Sequence, residues 1–280
     1  MKKYILLLIA LVAISSCKLE DKITESDLDV STPKLSELDA WLRKEFTTPY
    51  NIDVRYSWDD DEVDQSRYLF PPLIDNVKPA MEAIKTIWVD TYTKVGGKDF
   101  IKKIAPRNIV LIGGINLNPS GTITLGLAEG GKKIVFFSVD LVDFKNRASL
   151  TRFISTIQHE YTHILNQTVP FDEPNYGQIT PGNYTAQWFN ESIKKSRELG
   201  YITSYARANP FEDFAEMVKT MLSSDKTGYD KIINNITSAK AKKDLRKKEA
   251  FVVEYFLTEF NIDFYELQKV AAANIEKILN

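Results

Sequence analysis

Residues 150–165 read LTRFISTIQHEYTHIL. Leu150, Phe153, Ile154, Ile157, Tyr161, Ile164 and Leu165 recur at three- and four-residue intervals, the period of an amphipathic helix with one face in a core. At about 100° per residue, His159 and His163 fall away from the centre of that stripe. Their spacing sets the two Cβ atoms about 5–6 Å apart on one side of the helix. Imidazoles so placed can converge on one metal ion, and neutral imidazole suits zinc. Glu160 lies about 100° round from His159, close enough to touch a water at the metal, where a general base belongs. The run His159-Glu160-Tyr161-Thr162-His163 is therefore an H-E-x-x-H motif in helical context. Two surface histidines on an amphipathic helix would share the spacing but leave the embedded Glu160 unexplained.

Composition extends the reading. The chain has 280 residues, 2 His and 1 Cys, so both histidines are spent on this motif and no Cys-rich zinc module or disulfide framework can form. A catalytic zinc site uses three protein ligands and an open position, so the third ligand must be a carboxylate, with one zinc ion per chain. Downstream, residues 201–222, YITSYARANPFEDFAEMVKTML, predict a second helix: Asn209 is a good N-cap, Pro210 suits the first helical position, and Phe211, Phe214, Ala215, Val218 and Leu222 form a core stripe. Glu212 and Glu216 share a face at i, i+4, while Asp213 points elsewhere.

The amino terminus carries a different signal. Lys2 and Lys3 precede an apolar stretch from Tyr4 to Ile14 that is too short to span a bilayer, and Ser15-Ser16-Cys17 follows. Ile14-Ser15-Ser16-Cys17 resembles a bacterial lipobox. On that reading residues 1–16 are a signal peptide, Cys17 is the lipidated first residue of the mature protein, and acyl chains hold it on a membrane at about 0.8 kcal/mol per buried methylene. An ordinary cleaved signal with an incidental Cys is the plainer alternative. Lys18, Leu19, Glu20, Asp21 and Lys22 resemble the surface-export signal of Bacteroidetes lipoproteins, which implies an outer-membrane lipoprotein facing the cell surface. Residues 17–33, polar, aperiodic and ending in Thr32-Pro33, read as the lipidated Cys and a flexible tether, and 34–280 as a single domain.

Around the second helix, Thr203-Ser204-Tyr205-Ala206-Arg207 followed by Glu212-Asp213-Phe214-Ala215-Glu216 resembles the anthrax lethal factor family of zinc metalloproteases, in which a ligating Glu lies seven residues after the Tyr of a Ser-Tyr pair. With the lipobox, the whole chain is similar to the gluzincin-like zinc metallopeptidase lipoproteins of the Bacteroidetes, also described as substrate import-associated zinc metallohydrolases. The resemblance implies a zincin-like fold and the hydrolysis of peptides or proteins. It also implies partnership with outer-membrane nutrient-import proteins. It assigns Glu212 as third zinc ligand, Tyr205 as the phenol that stabilises the oxyanion, and Glu216 as a carboxylate behind the ligands. Other roles stay open at these positions: Glu212 could instead close a capping box with Asn209, Glu216 could itself be the ligand, and Tyr205 could be a packed aromatic.

The remaining sequence bounds the fold. Leu35 to Phe46 and Leu73 to Val95 have helical periodicity, and Ile52, Val54 and Tyr56 alternate as in a strand. Asp59-Asp60-Asp61-Glu62 lacks the spaced ligands of a calcium loop and reads as a solvated acidic turn. From Asn108, the runs 109–112, 122–127 and 134–139 are separated by Gly113-Gly114, by 118–121 and by Gly130-Gly131, which suggests antiparallel strands. The expected class is α+β, a small antiparallel sheet packed against a mainly helical C-terminal half. Lys+Arg 36 against Asp+Glu 38 gives no basic surface for nucleic acid. For substrate, the 134–139 strand is a candidate edge for peptide addition, the 169–183 loop a candidate cleft lining, and Trp188 with Phe189 a candidate subsite. Two other functions fit the same residues: a non-catalytic zinc-containing surface lipoprotein serving as an accessory module for uptake, and a zinc amidase acting on a non-peptide substrate.

Overall fold

A computed structural model describes residues 34–279; the expected signal peptide, Cys17 and the expected tether lie outside the described residues. From Glu37 onward the chain packs as one unit. The first helix, α1 (Glu37–Leu42), runs on through a wider turn and ends at Asn51 in the left-handed region. A short strand, β1 (Asp53–Arg55), follows. The acidic run after it is a surface turn: the Asp59 carboxylate accepts from Asp61 N at 3.1 Å, and Glu62 pairs with Lys133 at 2.8 Å. Helices α2 (Ile74–Ile84) and α3 (Thr91–Gly96) join through a helical segment that buries Ile87 and Trp88, and α4 (Phe100–Ile104) leads into the sheet.

The sheet strands are β2 (Asn108–Leu111), β5 (Gly126–Glu129) and β6 (Lys133–Phe136), with β3 (Asn116–Leu117) and β4 (Ile123–Thr124) forming a separate antiparallel pair between β2 and β5. The order is β1-β2-β6-β5. The expected α+β class and helical C-terminal half are present, but the sheet is mixed rather than antiparallel. β1 and β2 pair parallel, as do β2 and β6, and only β5 runs antiparallel to β6. The reason lies in two glycine pairs. Gly130 and Gly131, both at positive φ, form the tight hairpin between β5 and β6. Gly113 is instead a packing glycine: a Cβ there would collide with Asp140 Oδ2 and lie 2.8 Å from Pro71 O. The chain therefore leaves β2 for the β3–β4 excursion before returning.

Alternation along β2 and β6 buries both sheet faces, with Ile109, Leu111, Ile134 and Phe136 in the main core and Val110, Ile112, Val135 and Phe137 in a smaller cluster opposite. A long helix, α5 (Arg147–Thr168), is capped by Asn146, whose side chain accepts from Ser149 N, and it packs beside β5. After α6 (Glu173–Gly177) and α7 (Ile193–Glu198) comes α8 (Pro210–Leu222), whose most extensive contact is with α5. Helices α9 (Lys226–Asn234), α10 (Ala239–Phe260) and α11 (Phe264–Leu279) complete the helical half. Among the described residues, no helix is long and apolar enough to cross a membrane.

Candidate metal centre

The buried face of α5 fixes the orientation of its other side. Tyr161 packs between Trp88 and Tyr92, with ring centroids 4.9 and 4.8 Å away, and Gln158 Nε2 donates to the Ile87 carbonyl at 3.1 Å. The helix cannot rotate without breaking these contacts, so His159 and His163 are turned towards α8. There Asn209 caps the helix by accepting from Phe211 N and Glu212 N at 2.9 and 3.0 Å. Glu212 does not close the reciprocal half of a capping box. Its Oε2 lies 3.0 Å from His159 Nε2 and 3.3 Å from His163 Nε2, and the two Nε2 atoms are 3.1 Å apart.

These three atoms fit a metal ion. Donors about 2.0–2.1 Å from a tetrahedral zinc are about 3.3 Å from one another, close to the observed triangle. The chemistry agrees, because His159 Nδ1 lies 2.8 Å from Glu216 Oε1, a carboxylate that favours a proton on Nδ1 and so leaves Nε2 as the nitrogen to offer a metal ion. Three ligand atoms this close to one another are held together by positive charge, supplied by a proton or by a metal ion. Burial opposes charge on His159, but bonds to Glu212 and Glu216 and the charges of Glu216 and Glu160 outweigh it and lift its pKa to about 10. Burial likewise raises Glu212, yet the two histidines hold its carboxyl well below the usual range. His159, His163 and Glu212 thus form a cluster able to hold a metal ion.

Glu216, 1% exposed, sits behind the cluster rather than in it. Its Oε1 also accepts from Lys219 Nζ at 2.7 Å and its Oε2 from Thr203 Oγ1 at 2.7 Å. Against the cost of burial, Lys219 and His159 hold its pKa down to about 2. Thr203 stands in the quoted 203–207 run without a role of its own, and Lys219 is not singled out in the sequence; the i, i+3 spacing of Glu216 and Lys219 is the available signal.

Glu160 is buried beside the cluster and touches β5, where a Cβ on Gly126 would come within 2.6 Å of its Cγ and Oε1. Burial raises its pKa, an effect the two histidines partly offset. The Tyr205 ring lies 5.7 Å from that of His159 and 4.7 Å from that of Trp188. Burial, the Glu212 charge and a hydrogen bond with Glu212 push its phenol well above the ordinary range, so it remains a donor. Two cavities open on either side of Glu160. One of about 260 Å³ is lined by Ile123, Leu125, Thr156, Trp188 and Lys219, and one of about 530 Å³ by Leu127, Ala128, Asn166, Gln167 and Phe211. Trp188 lines the first cavity, whereas Phe189 lines neither.

Comparison with known proteins agrees with this geometry. Residues 31–265 match the family model described as "Putative zinc-binding metallo-peptidase". The chain belongs to this family. This metallopeptidase is also similar to a solved structure from Bacteroides caccae, titled a "putative zinc-binding metallo-peptidase", at 31% identity and a TM-score of 0.71, covering 90% of this chain and 97% of that chain. Comparison with curated proteins gave no match.

Two expectations about the metallopeptidase's cleft need correction. Strand β6 cannot receive a peptide, because it is paired on both sides, by β2 and β5. The edge is β5: Leu125 O and Glu129 O point inward, to Phe137 N and Lys132 N, so Gly126 and Ala128 direct their backbone groups outward to the cleft. Nor does the 169–183 loop line either cavity; Phe171 stacks on Phe214 at 4.3 Å and Tyr176 is buried, so this loop secures α8 from behind.

Sequence reading also missed a buried ion pair. Asp213, next to Glu212, lies 2.6 Å from Lys248 Nζ, and both side chains are 0% exposed. Tyr184 donates to the same carboxylate oxygen at 2.9 Å, and the ammonium lies 4.1 Å from the centroid of the Tyr201 ring.

Proposed function

We propose that this protein is a zinc-dependent peptidase in which His159, His163 and Glu212 hold the ion and Glu160 is the general base. The supporting observation is the convergence of His159 Nε2, His163 Nε2 and Glu212 Oε2, within 3.3 Å of one another, beside a buried carboxylate on an open cleft. When bound, zinc supplies a Lewis acid that polarises the scissile carbonyl and makes water a better nucleophile at neutral pH. A peptide lies along β5, paired with the outward backbone groups of Gly126 and Ala128. Glu160 takes a proton from the attacking water and delivers it to the leaving amine. Its burial favours this exchange by bringing its proton affinity closer to that of its partners. Tyr205, held protonated, donates to the oxyanion that develops on the carbonyl oxygen. Glu216 keeps the His159 proton on Nδ1, so that Nε2 faces the ion.

In the same reading Cys17 carries the lipid anchor, the domain sits on the outer membrane facing the exterior, and peptide cleavage serves a nutrient-import system. The support is the run Ile14-Ser15-Ser16-Cys17, the acidic and lysine residues after it, and the resemblance to import-associated lipoproteins. Metabolic labelling with a fatty-acid analogue, comparing the wild type with Cys17→Ser, tests the anchor; equal labelling of both would exclude it. Digestion of a peptide pool by the zinc-loaded protein tests the activity. An accessory, non-catalytic role predicts zinc without cleavage, and an amidase role predicts hydrolysis of non-peptide amides alone.

A further inference from the structure

The cavity of about 260 Å³ beside Glu160 does not end at Thr156. It shares Ile123, Leu125 and Thr156 with a further cavity of about 290 Å³ between the first half of α5 and the β3–β4 pair. Three aliphatic side chains that line this further cavity are exposed, Ile115 at 42%, Ile123 at 48% and Leu141 at 62%, an apolar patch beside a candidate active site. No acidic residue lines it, and its one charged group is Arg152. The guanidinium has no acidic partner among the described residues. The Ser138 hydroxyl, on a residue 9% exposed and at positive φ, also lines the cavity and has no hydrogen-bond partner.

Helix geometry aligns Arg152 with the metal ligands. Seven residues turn a helix through nearly two full turns, so Arg152 and His159 lie within about 20° of one another and about 10.5 Å apart along the axis, with Thr156 between them on the same stripe. An extended peptide advances about 3.3 Å per residue, which places Arg152 about three residues from the scissile bond. Strand β5 runs from Gly126, at Glu160, towards Ala128, whose carbonyl meets Gln167 at 3.4 Å. A peptide paired antiparallel to it, the more stable sense, runs the opposite way and carries its C-terminal side over Thr156 to Arg152.

Resting on the peptidase reading, we propose that this further cavity is a specificity subsite for the C-terminal side of the substrate, taking an apolar side chain in the Ile115–Ile123–Leu141 patch and a carboxylate on Arg152. An acidic side chain and a free C-terminus present the same chemistry. The test uses three hexapeptide pools, each with Leu at its fourth position: one with free C-termini, one amidated, and one amidated with Glu as its last residue. KM is measured at low salt for the wild type, Arg152→Gln and Arg152→Lys, each with zinc content verified. In the wild type a carboxylate should lower KM about five- to tenfold relative to the amidated pool, consistent with a charge-assisted pair near the surface. Arg152→Gln should bring that ratio to about one, and Arg152→Lys should restore part of it. A preference for the free-acid pool alone identifies the C-terminus as the carboxylate, and one shared by the Glu pool identifies any nearby carboxylate; both support the subsite. An equal KM for all three pools in the wild type, or a preference that survives in Arg152→Gln, overturns it. Binding of the same pools to the Glu160→Gln protein, read by fluorescence anisotropy, tests the subsite without turnover. Absence of cleavage with an Arg152-dependent binding preference would reject the peptidase reading and keep the subsite.

Discussion

Replacing Gly126 with alanine tests how Glu160 is held. Gly126 is not among the glycines at positive φ, so its backbone accepts a side chain. The new Cβ would meet Glu160 Cγ and Oε1 at 2.6 Å and Cδ at 2.8 Å. Carbon atoms rest about 3.5–4.0 Å apart, so the Glu160 side chain must retreat by about 1 Å. The cost to the fold is limited, because every obstacle belongs to one side chain and none to the backbone, and alanine restricts the unfolded chain by about 0.4–1 kcal/mol. The cost to catalysis is large, since a misplacement of about 1 Å is worth about 100-fold in rate. Gly126→Ala should therefore bind zinc and melt like the wild type while kcat on a peptide pool falls about 100-fold. In a Glu160→Gln background the same change should cost almost nothing further, because both act through one carboxylate. A kcat within threefold of wild type would refute the assignment of Glu160 as a base pinned against β5.

Other predictions follow from neighbouring contacts. Glu216→Gln should weaken zinc binding about 10- to 100-fold in a chelator competition, through loss of the negative charge facing His159 Nδ1. Because the folded pKa of Glu216 is held at about 2, below its ordinary 4.5, it contributes stability above about pH 4.5 that is lost as pH falls towards 2; the stability gap between wild type and Glu216→Gln, measured by urea unfolding, should close over that window. Lys248→Met strands a buried Asp213 and should cost about 3–5 kcal/mol in urea unfolding, whereas adding Asp213→Asn should recover much of it. Additive losses in the double variant would show the pair is uncoupled. Tyr205→Phe should keep zinc and lower kcat about 100- to 1,000-fold with little change in KM.

The candidate His-His-Glu cluster was legible in the sequence because scarcity and periodicity acted together. Two histidines four apart on an amphipathic helix had one geometric use, and their scarcity required a carboxylate from elsewhere. Asn209-Pro210 marked the start of α8, and the structure places Glu212 with the histidines and Glu216 behind them. Strand pairing was less legible, because a turn signal does not reveal partners. Asn118 to Gly121 and Gly130-Gly131 do close hairpins, but Gly113-Gly114 is a site of close packing, and the parallel pairing of β2 with β6 spans the whole excursion between them. Lys248 was hidden in the basic run of α10, although its phase was informative: with Leu245, Val252 and Phe256 it shares one buried helical stripe. Arg152 likewise lies in phase with His159, but only the cavity beside it distinguishes it from an ordinary surface arginine.

The most direct test of the central claim is cleavage of a peptide pool by zinc-loaded wild-type protein beside Glu160→Gln at equal zinc content. One zinc per chain is expected in both, with a loss of turnover of about 1,000-fold or more in the variant, because a general base and the proton it relays are removed. Equal cleavage by the two proteins, or cleavage by a wild type stripped of metal, would contradict it.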